Sequence, residues 1–347
     1  MERILVVKVT SLGDVIHAQP VVADLHRHFP GVKIDWAADA SCADVLYWNR
    51  GIDRVLCAPL RGFKKHPSKE ALASIVGSVR ALRAVRYDAV IDIHGVYKSA
   101  IISFLSRSRE RYGYRAEDLG ERGAAFAYTK RIARSMEYNA WNGMRVSVGE
   151  AFGYTIDSPP EFGIEIPKAT APVDAARKGP FAMLFHATSN EDKKWPCEHW
   201  RRLAHWLSDG GLRVVLPWGS LREREEAVAI ANGIPGAIVL PRLSVLEIAQ
   251  HIDQAALVVG TDTGLCHLAC AVGVPTAMIF TATSPRHCGI DVPGQGVSVG
   301  DDGAPPSPTD VERAIQSVYA PLNPRRYDVA KVTAVTAVTA VPAVTPR

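Results

Sequence analysis

A chain of 347 residues, 47% hydrophobic and 22% charged, is too long for a single hydrophobic core and too apolar to be disordered. A formal net charge of +4 does not mark a nucleic-acid binder, so charge has to be read locally. Six cysteines without a CxxC pair or a disulfide-like spacing fit reduced thiols in a cytoplasmic protein.

The amino terminus, MERILVVKVTSLGD, has an apolar run too short for a signal peptide, and no small-residue cleavage site follows. β-Branched runs at residues 4–9, 33–37, 54–57 and 88–93 read as buried strands, with helical periodicity at 19–29 and 70–86. This alternation predicts parallel strands joined by crossover helices. A Pro-rich, chemically quiet stretch around 158–172 reads as a linker. The pattern then restarts, with strands at 181–185, 213–216, 237–240, 256–259 and 276–280. Helices fall near 198–208, 221–232, 244–252 and 264–272. A last helix, TDVERAIQSVYA at 309–320, completes the second domain or packs back on the first.

The longest nearly apolar stretch, 265–280, is shorter than the ~20 residues of a membrane span and is broken by Gly273 and Pro275. The tail KVTAVTAVTAVPAVTPR is a low-complexity repeat that makes no core. The expected fold is α/β: two Rossmann-like, doubly wound domains at 1–165 and 174–325 face each other across a cleft, and 326–347 form a tail.

In such sheets ligands sit at the carboxyl ends of strands, and four segments there carry chemistry. After the first strand, Gly13 permits a tight turn and Asp14 heads a helix. Capping that helix is the commoner use of such a carboxylate; accepting a proton from a hydroxyl is the catalytic one. In GTDTGLCHLACAVGVP, from residue 260, backbone N–H groups at a helix start and two threonines make a diphosphate site, with Asp262 as a cap or a partner for a donor hydroxyl. Cys266, His267 and Cys270 read there as core residues rather than zinc ligands. The stretch HATSNEDKKWPCEHW, from residue 186, offers hydroxyls at Thr188 and Ser189 and a cation at Lys193, suited to a leaving phosphoryl group or simply to solvent. LPWGS, from residue 216, is followed by Glu223, which can hold a ribose diol, although Glu early in a helix is favoured anyway. No GxxxxGK[ST] loop is present. In the first half, Arg61, Lys64, Lys65, Lys98 and Arg122 form a basic set suited to an acidic acceptor if they line the cleft.

Taken in order, TSLGDVIH, DIHGVYKSA, HATSNEDKKWPCEHW, LPWGS and GTDTGLCHLACAVGVP resemble glycosyltransferase family 9, the lipopolysaccharide heptosyltransferases of the GT-B fold. The resemblance covers residues 1–325, and the TSLGD form is closer to the enzymes that add the first core heptose. It implies transfer, with inversion, from ADP-L-glycero-D-manno-heptose to the 3-deoxy-D-manno-octulosonic acid (Kdo) of Kdo-lipid A. The alternatives are addition of a later heptose or a GT-B-like nucleotide-sugar epimerase. It implies Asp14 as the base and Lys193 as the phosphate-stabilising cation. Thr188, Ser189, Glu223, Asp262, Thr263, Gly264, Leu265 and His267 then bind the donor, while Gly13, Arg61, Lys64, Lys98 and Arg122 face the acceptor. No DxD motif is present, and the resemblance implies neither metal nor cofactor. The expected setting is the cytoplasmic face of the inner membrane, touched peripherally, with no nucleic-acid partner.

Overall fold

The protein, described here by a computed structural model, is defined over residues 1–322 except 136–139, 171, 172, 174, 176–178 and 189. Ser189 and the Thr-Ala-Val tail therefore lie outside the described residues.

Among the described residues, twelve strands form two sheets. The first holds β1 (Arg3–Val7), β2 (Lys33–Asp39), β3 (Arg54–Ala58), β4 (Ala89–Asp92), β5 (Glu110–Tyr114) and β6 (Lys130–Ile132) in the order β3-β2-β1-β4-β5-β6. The second holds β7 (Phe181–Phe185), β8 (Arg213–Leu216), β9 (Ile238–Val239), β10 (Leu257–Thr261), β11 (Thr276–Ile279) and β12 (Gly296–Val299) in the order β12-β11-β10-β7-β8-β9. Every pairing is parallel. Read from its own first strand, each sheet follows the same doubly wound order, with its switch point between β1 and β4 or between β7 and β10.

The central strands are apolar because helices cover both of their faces: all five residues of β7 are buried. Strands β5, β6 and β12 go beyond the sequence expectation. They lie at or near sheet edges with only partial burial, so ERYGY, KRI and GVSV lack the apolar run that identifies a central strand. The periodicity at 19–29 continues a helix already begun at Leu12–Ala18; Pro20, without an N–H, opens the next one, Pro20–His28.

The helix Pro308–Val318 starts at a Ser307/Asp310 capping box and buries Val311, Ile315 and Val318. It packs on β11, β12 and the helix Cys197–Asp209, and so covers the second sheet rather than returning to the first. The stretch after the helix Ala140–Phe152 is less quiet than its composition. Asn49 donates to the Phe162 carbonyl at 2.9 Å, and Glu161 and Glu165 pair with Arg27 and Arg50.

The helix Ala140–Phe152 is tied to Pro20–His28 by a buried ion pair. Arg145 grips both Asp24 oxygens at 2.7 and 2.9 Å and donates to the Ser158 carbonyl. Removing one member strands the other charge in the core. Arg145→Met should therefore cost about 3 kcal/mol, the low end of the range because Arg27 also reaches Asp24. Denaturant unfolding of the variant against the parent checks this.

Candidate active site

Each switch point leaves a crevice at the carboxyl ends of its strands, and the two crevices face one another. The loops after β1 and β4 supply one wall, and those after β7 and β10 supply the other.

On the first wall, Ser11 ends the loop and Asp14 sits in the first turn of Leu12–Ala18. Asp14 Oδ2 accepts from the Ser11 N–H and hydroxyl, both at 2.8 Å. Its Oδ1 lies 3.3 Å from the Lys8 ammonium. Burial pushes this carboxyl up, but Lys8 and the Ser11 hydrogen bonds outweigh it, and its pKa falls to about 2. The capping use is thus realised, and Oδ1 remains beside the cleft.

The segment after β4 braces this loop. Asp92 accepts from the His94 and Gly95 N–H groups, and His94 Nδ1 accepts from the Val9 N–H at 3.1 Å. Burial, then the Lys8 and Lys98 cations, hold the His94 pKa down to about 3, so this ring is a neutral acceptor. Lys98 donates to the Thr10 hydroxyl at 2.5 Å.

On the second wall, Lys193 contacts Asp262 Oδ2 at 2.6 Å, and Thr283 donates to the same oxygen at 3.1 Å. Asp262 is therefore an ion-pair partner and not a helix cap; Thr263 occupies the N-cap position of Gly264–Ala271. Burial alone would raise the Asp262 pKa, yet His267 and Lys193 drive it far below the usual carboxylate range. The first N–H groups of that helix have no intrahelical acceptor and point its positive end at the cleft.

The walls meet. His17 Nε2 lies 2.8 Å from His267 Nδ1, with both rings buried, and His267 Nε2 faces Asp262 Oδ1 at 3.6 Å. Beside them Gly13 and Gly264 touch: a Cβ on Gly264 would stand 3.0 Å from the Gly13 nitrogen and 3.0 Å from Leu12 Cβ.

Between the walls lies a cavity of about 770 Å³. It brings together Gly13, Asp14, Arg61, Thr188, Lys193, Asp262, Thr263, Gly264, Leu265 and His267 from the sequence-derived set. Lys64, Lys98, Arg122 and Glu223 do not line it. Glu223 instead accepts from the Gly219 and Ser220 N–H groups, capping its own helix. Lys8, His17, Arg134 and Arg286 line the cavity as well, beyond the residues expected from the sequence. His17 had a legible signal, since it lies three residues after Asp14 on one helix face. Arg134 had none; it comes into place over the Tyr114 ring at 4.9 Å because β5 and β6 pair. Five Lys and Arg side chains against the carboxylates of Asp14 and Asp262 suit this cavity to anionic ligands.

Among known proteins, the model of glycosyltransferase family 9 (heptosyltransferase) matches residues 76–301. Lipopolysaccharide heptosyltransferase 1 of Escherichia coli K12 is 33% identical over 286 residues, 82% of this chain and 89% of that protein. The Pseudomonas aeruginosa protein of the same description is 33% identical over 289 residues, 83% of this chain and 81% of that protein. The solved E. coli heptosyltransferase WaaC with ADP superposes with a TM-score of 0.74 at 28% identity, covering 95% of this chain and 99% of that one.

The Gly13–Gly264 contact makes a direct prediction. A methyl at position 264 meets the Gly13 nitrogen and the base of the Leu12 side chain, both at 3.0 Å, so the opposing wall must give by a few tenths of an ångström to admit it. Gly264→Ala should cost about 1–3 kcal/mol and weaken the His17–His267 bond. Denaturant unfolding checks the first effect, and the imidazole nitrogen shifts of the two histidines check the second.

Proposed function

Because the chain belongs to glycosyltransferase family 9, the heptosyltransferases, we propose that it moves L-glycero-D-manno-heptose from ADP-heptose to the Kdo of Kdo-lipid A, inverting the anomeric centre without a metal ion. The observation that carries this reading is the single cavity in which a carboxylate on one wall faces a lysine and a helix amino terminus on the other. Its support is the 33% identity, over four-fifths of the chain, to proteins described as lipopolysaccharide heptosyltransferase 1.

The roles follow from the chemistry. An acceptor hydroxyl approaching Asp14 Oδ1 gives up its proton as its oxygen bonds to the anomeric carbon. The bond from that carbon to the β-phosphate oxygen breaks, and negative charge moves onto ADP. Lys193, the Thr188 hydroxyl and the first N–H groups of Gly264–Ala271 receive that charge. An ammonium has three donors, so Lys193 serves Asp262 and a phosphate oxygen together. Asp262 thus holds the lysine in place and, being anionic, needs that cation between itself and the diphosphate. Leu265 and His267 shape the donor pocket beside them. Arg61, with Lys64, Lys98 and Arg122 nearer the rim, meets the acid groups of the acceptor, and Glu223 turns from its cap to the adenosine ribose.

Among the described residues no group of His, Cys, Asp and Glu is arranged to hold a metal, and the cations above do a metal's electrostatic work. No helix among the described residues is long and apolar enough to cross a membrane. The lipid acceptor is met peripherally, on the cytoplasmic face of the inner membrane.

ADP release from ADP-heptose with Kdo-lipid A tests the assignment. Asp14→Asn should lose ~10²–10⁴-fold in kcat and Lys193→Gln ~10²–10³-fold, with EDTA leaving the parent rate unchanged. Full activity of Asp14→Asn would remove the base, and inhibition by EDTA would remove metal independence.

The depressed pKa gives a second, independent check. Asp14 acts as a base only when ionised, so with a pKa of about 2 its protonation does not limit kcat/KM from neutral pH down to pH 5. Lys8→Met removes the cation that, together with the Ser11 hydrogen bonds, outweighs burial, and the acid limb should climb by about one to two pH units. An acid limb that stays in place would mean that another group takes the proton.

A further inference from the structure

Soluble proteins scatter their exposed large apolar side chains singly. Here six of the ten among the described residues, Leu72, Val76, Tyr97, Ile101, Phe104 and Phe126, lie on neighbouring segments of the first half. Tyr97, Ile101 and Phe104 follow helical spacing along the outer face of Tyr97–Leu105, each about half exposed. Phe126 meets Phe104 with ring centroids 6.0 Å apart, and the Arg111 guanidinium sits 5.9 Å from the Phe104 ring. The adjacent helix Lys69–Arg83 buries only Leu82 fully. Its opposite side presents Lys69, Leu72, Val76, Arg80 and Arg83 in one exposed stripe, two apolar residues bracketed by cations.

Charge concentrates at the same place. Residues 60–83 hold six Lys and Arg against the single carboxylate of Glu70, an excess of five where the entire chain has +4. No side chain of the helix Leu60–Lys65 is buried.

We propose that the outer faces of Lys69–Arg83 and Tyr97–Leu105, with Phe126, seat the protein on an anionic lipid bilayer and set the cleft mouth against that surface. The proposal rests on the lipid-linked acceptor assigned above and names the face that meets the membrane. Apolar side chains enter the headgroup boundary while the cations around them pair with acidic lipids. The face is continuous with the site. Lys98, one residue after Tyr97, turns inward to Thr10, and Arg61 of Leu60–Lys65 lines the cavity. A sugar carried on a membrane lipid would therefore reach Asp14 past Arg61, which lines the same cavity.

Flotation of the full chain with vesicles, no sugar present, tests this. The parent should float with phosphatidylglycerol–phosphatidylethanolamine vesicles, less with phosphatidylcholine alone, and less as salt rises. The pair Ile101→Ser/Phe104→Ser, and separately Leu72→Ser/Val76→Ser, should lose on the order of 10-fold or more in partitioning. Lys69→Glu/Arg80→Glu should lose the preference for anionic lipid. All three should keep the parent's unfolding midpoint and its rate on a water-soluble Kdo acceptor, and lose rate on vesicle-embedded acceptor. A parent that ignores the vesicles, equal binding to neutral and anionic lipid, or variants that float like the parent would overturn the proposal. So would variants whose change is a shift in oligomeric state by gel filtration, since a second copy would then be the occupant. Absence of turnover on the soluble acceptor would instead count against the transferase reading and leave the flotation result standing.

Discussion

The hydrogen bond between His17 and His267 turns two half-sites into one. Each doubly wound half has a crevice at its own switch point, and neither crevice contains both a proton acceptor and a phosphate site. His17 lies one turn beyond Asp14 on Leu12–Ala18, and His267 lies one turn beyond Thr263 and Gly264 on the opposing helix. Docking one ring against the other therefore sets the separation between the Asp14 carboxylate and the amino terminus of Gly264–Ala271. The close approach needs glycine at 13 and 264, where side chains would hold the helices apart. Burial keeps the His17 pKa well below its ordinary value, so the ring is a neutral partner and the contact does not set two charges together.

From His267 the linkage continues to Asp262 and on to Lys193. Both cleft carboxylates are stabilised as anions by neighbouring cations, and the proposed chemistry divides accordingly. Asp14, with Lys8 and Ser11 beside it, is a weak base and supplies little driving force at the start of the reaction. In the proposed transfer the attacking hydroxyl gives up its proton to Asp14 only as it acidifies on bonding to carbon. That mechanism leaves most of the barrier reduction to the other wall, where charge would appear on the departing diphosphate before aligned donors.

Much of this was legible in the sequence because β–turn–helix punctuation at a switch point has a composition of its own. Gly13 with Asp14, and Thr263 with Gly264, announce strand ends that bind ligands, and the apolar runs at 181–185 and 213–216 coincide with β7 and β8. Pairing across distance was not legible. Arg134 reaches the cavity through β6, a strand of three residues at a sheet edge whose composition is nearly all polar. Asp262 read as a cap or a hydroxyl partner because the sequence cannot show Lys193, sixty-nine positions earlier, closing on it. Glu223 shows the converse: its local pattern, Ser220 followed three residues later by Glu, is a capping box, and that is the conformation it adopts.

The same reasoning explains why the first half differs from the second despite a shared strand order. In the second half the crossover helix Cys197–Asp209 is sealed by Trp200, Leu203, Ala204 and Leu207, and it is covered further by Pro308–Val318. In the first half Lys69–Arg83, which joins β3 to β4, has no such cover and keeps apolar side chains in the open. A helix with one fully buried residue contributes little to its own domain's core, so the stability of this layer is low by construction. Repeating one fold twice supplies two switch points; in the proposed docking, the uncovered outer face of Lys69–Arg83 is what lets the first copy meet a lipid-borne substrate.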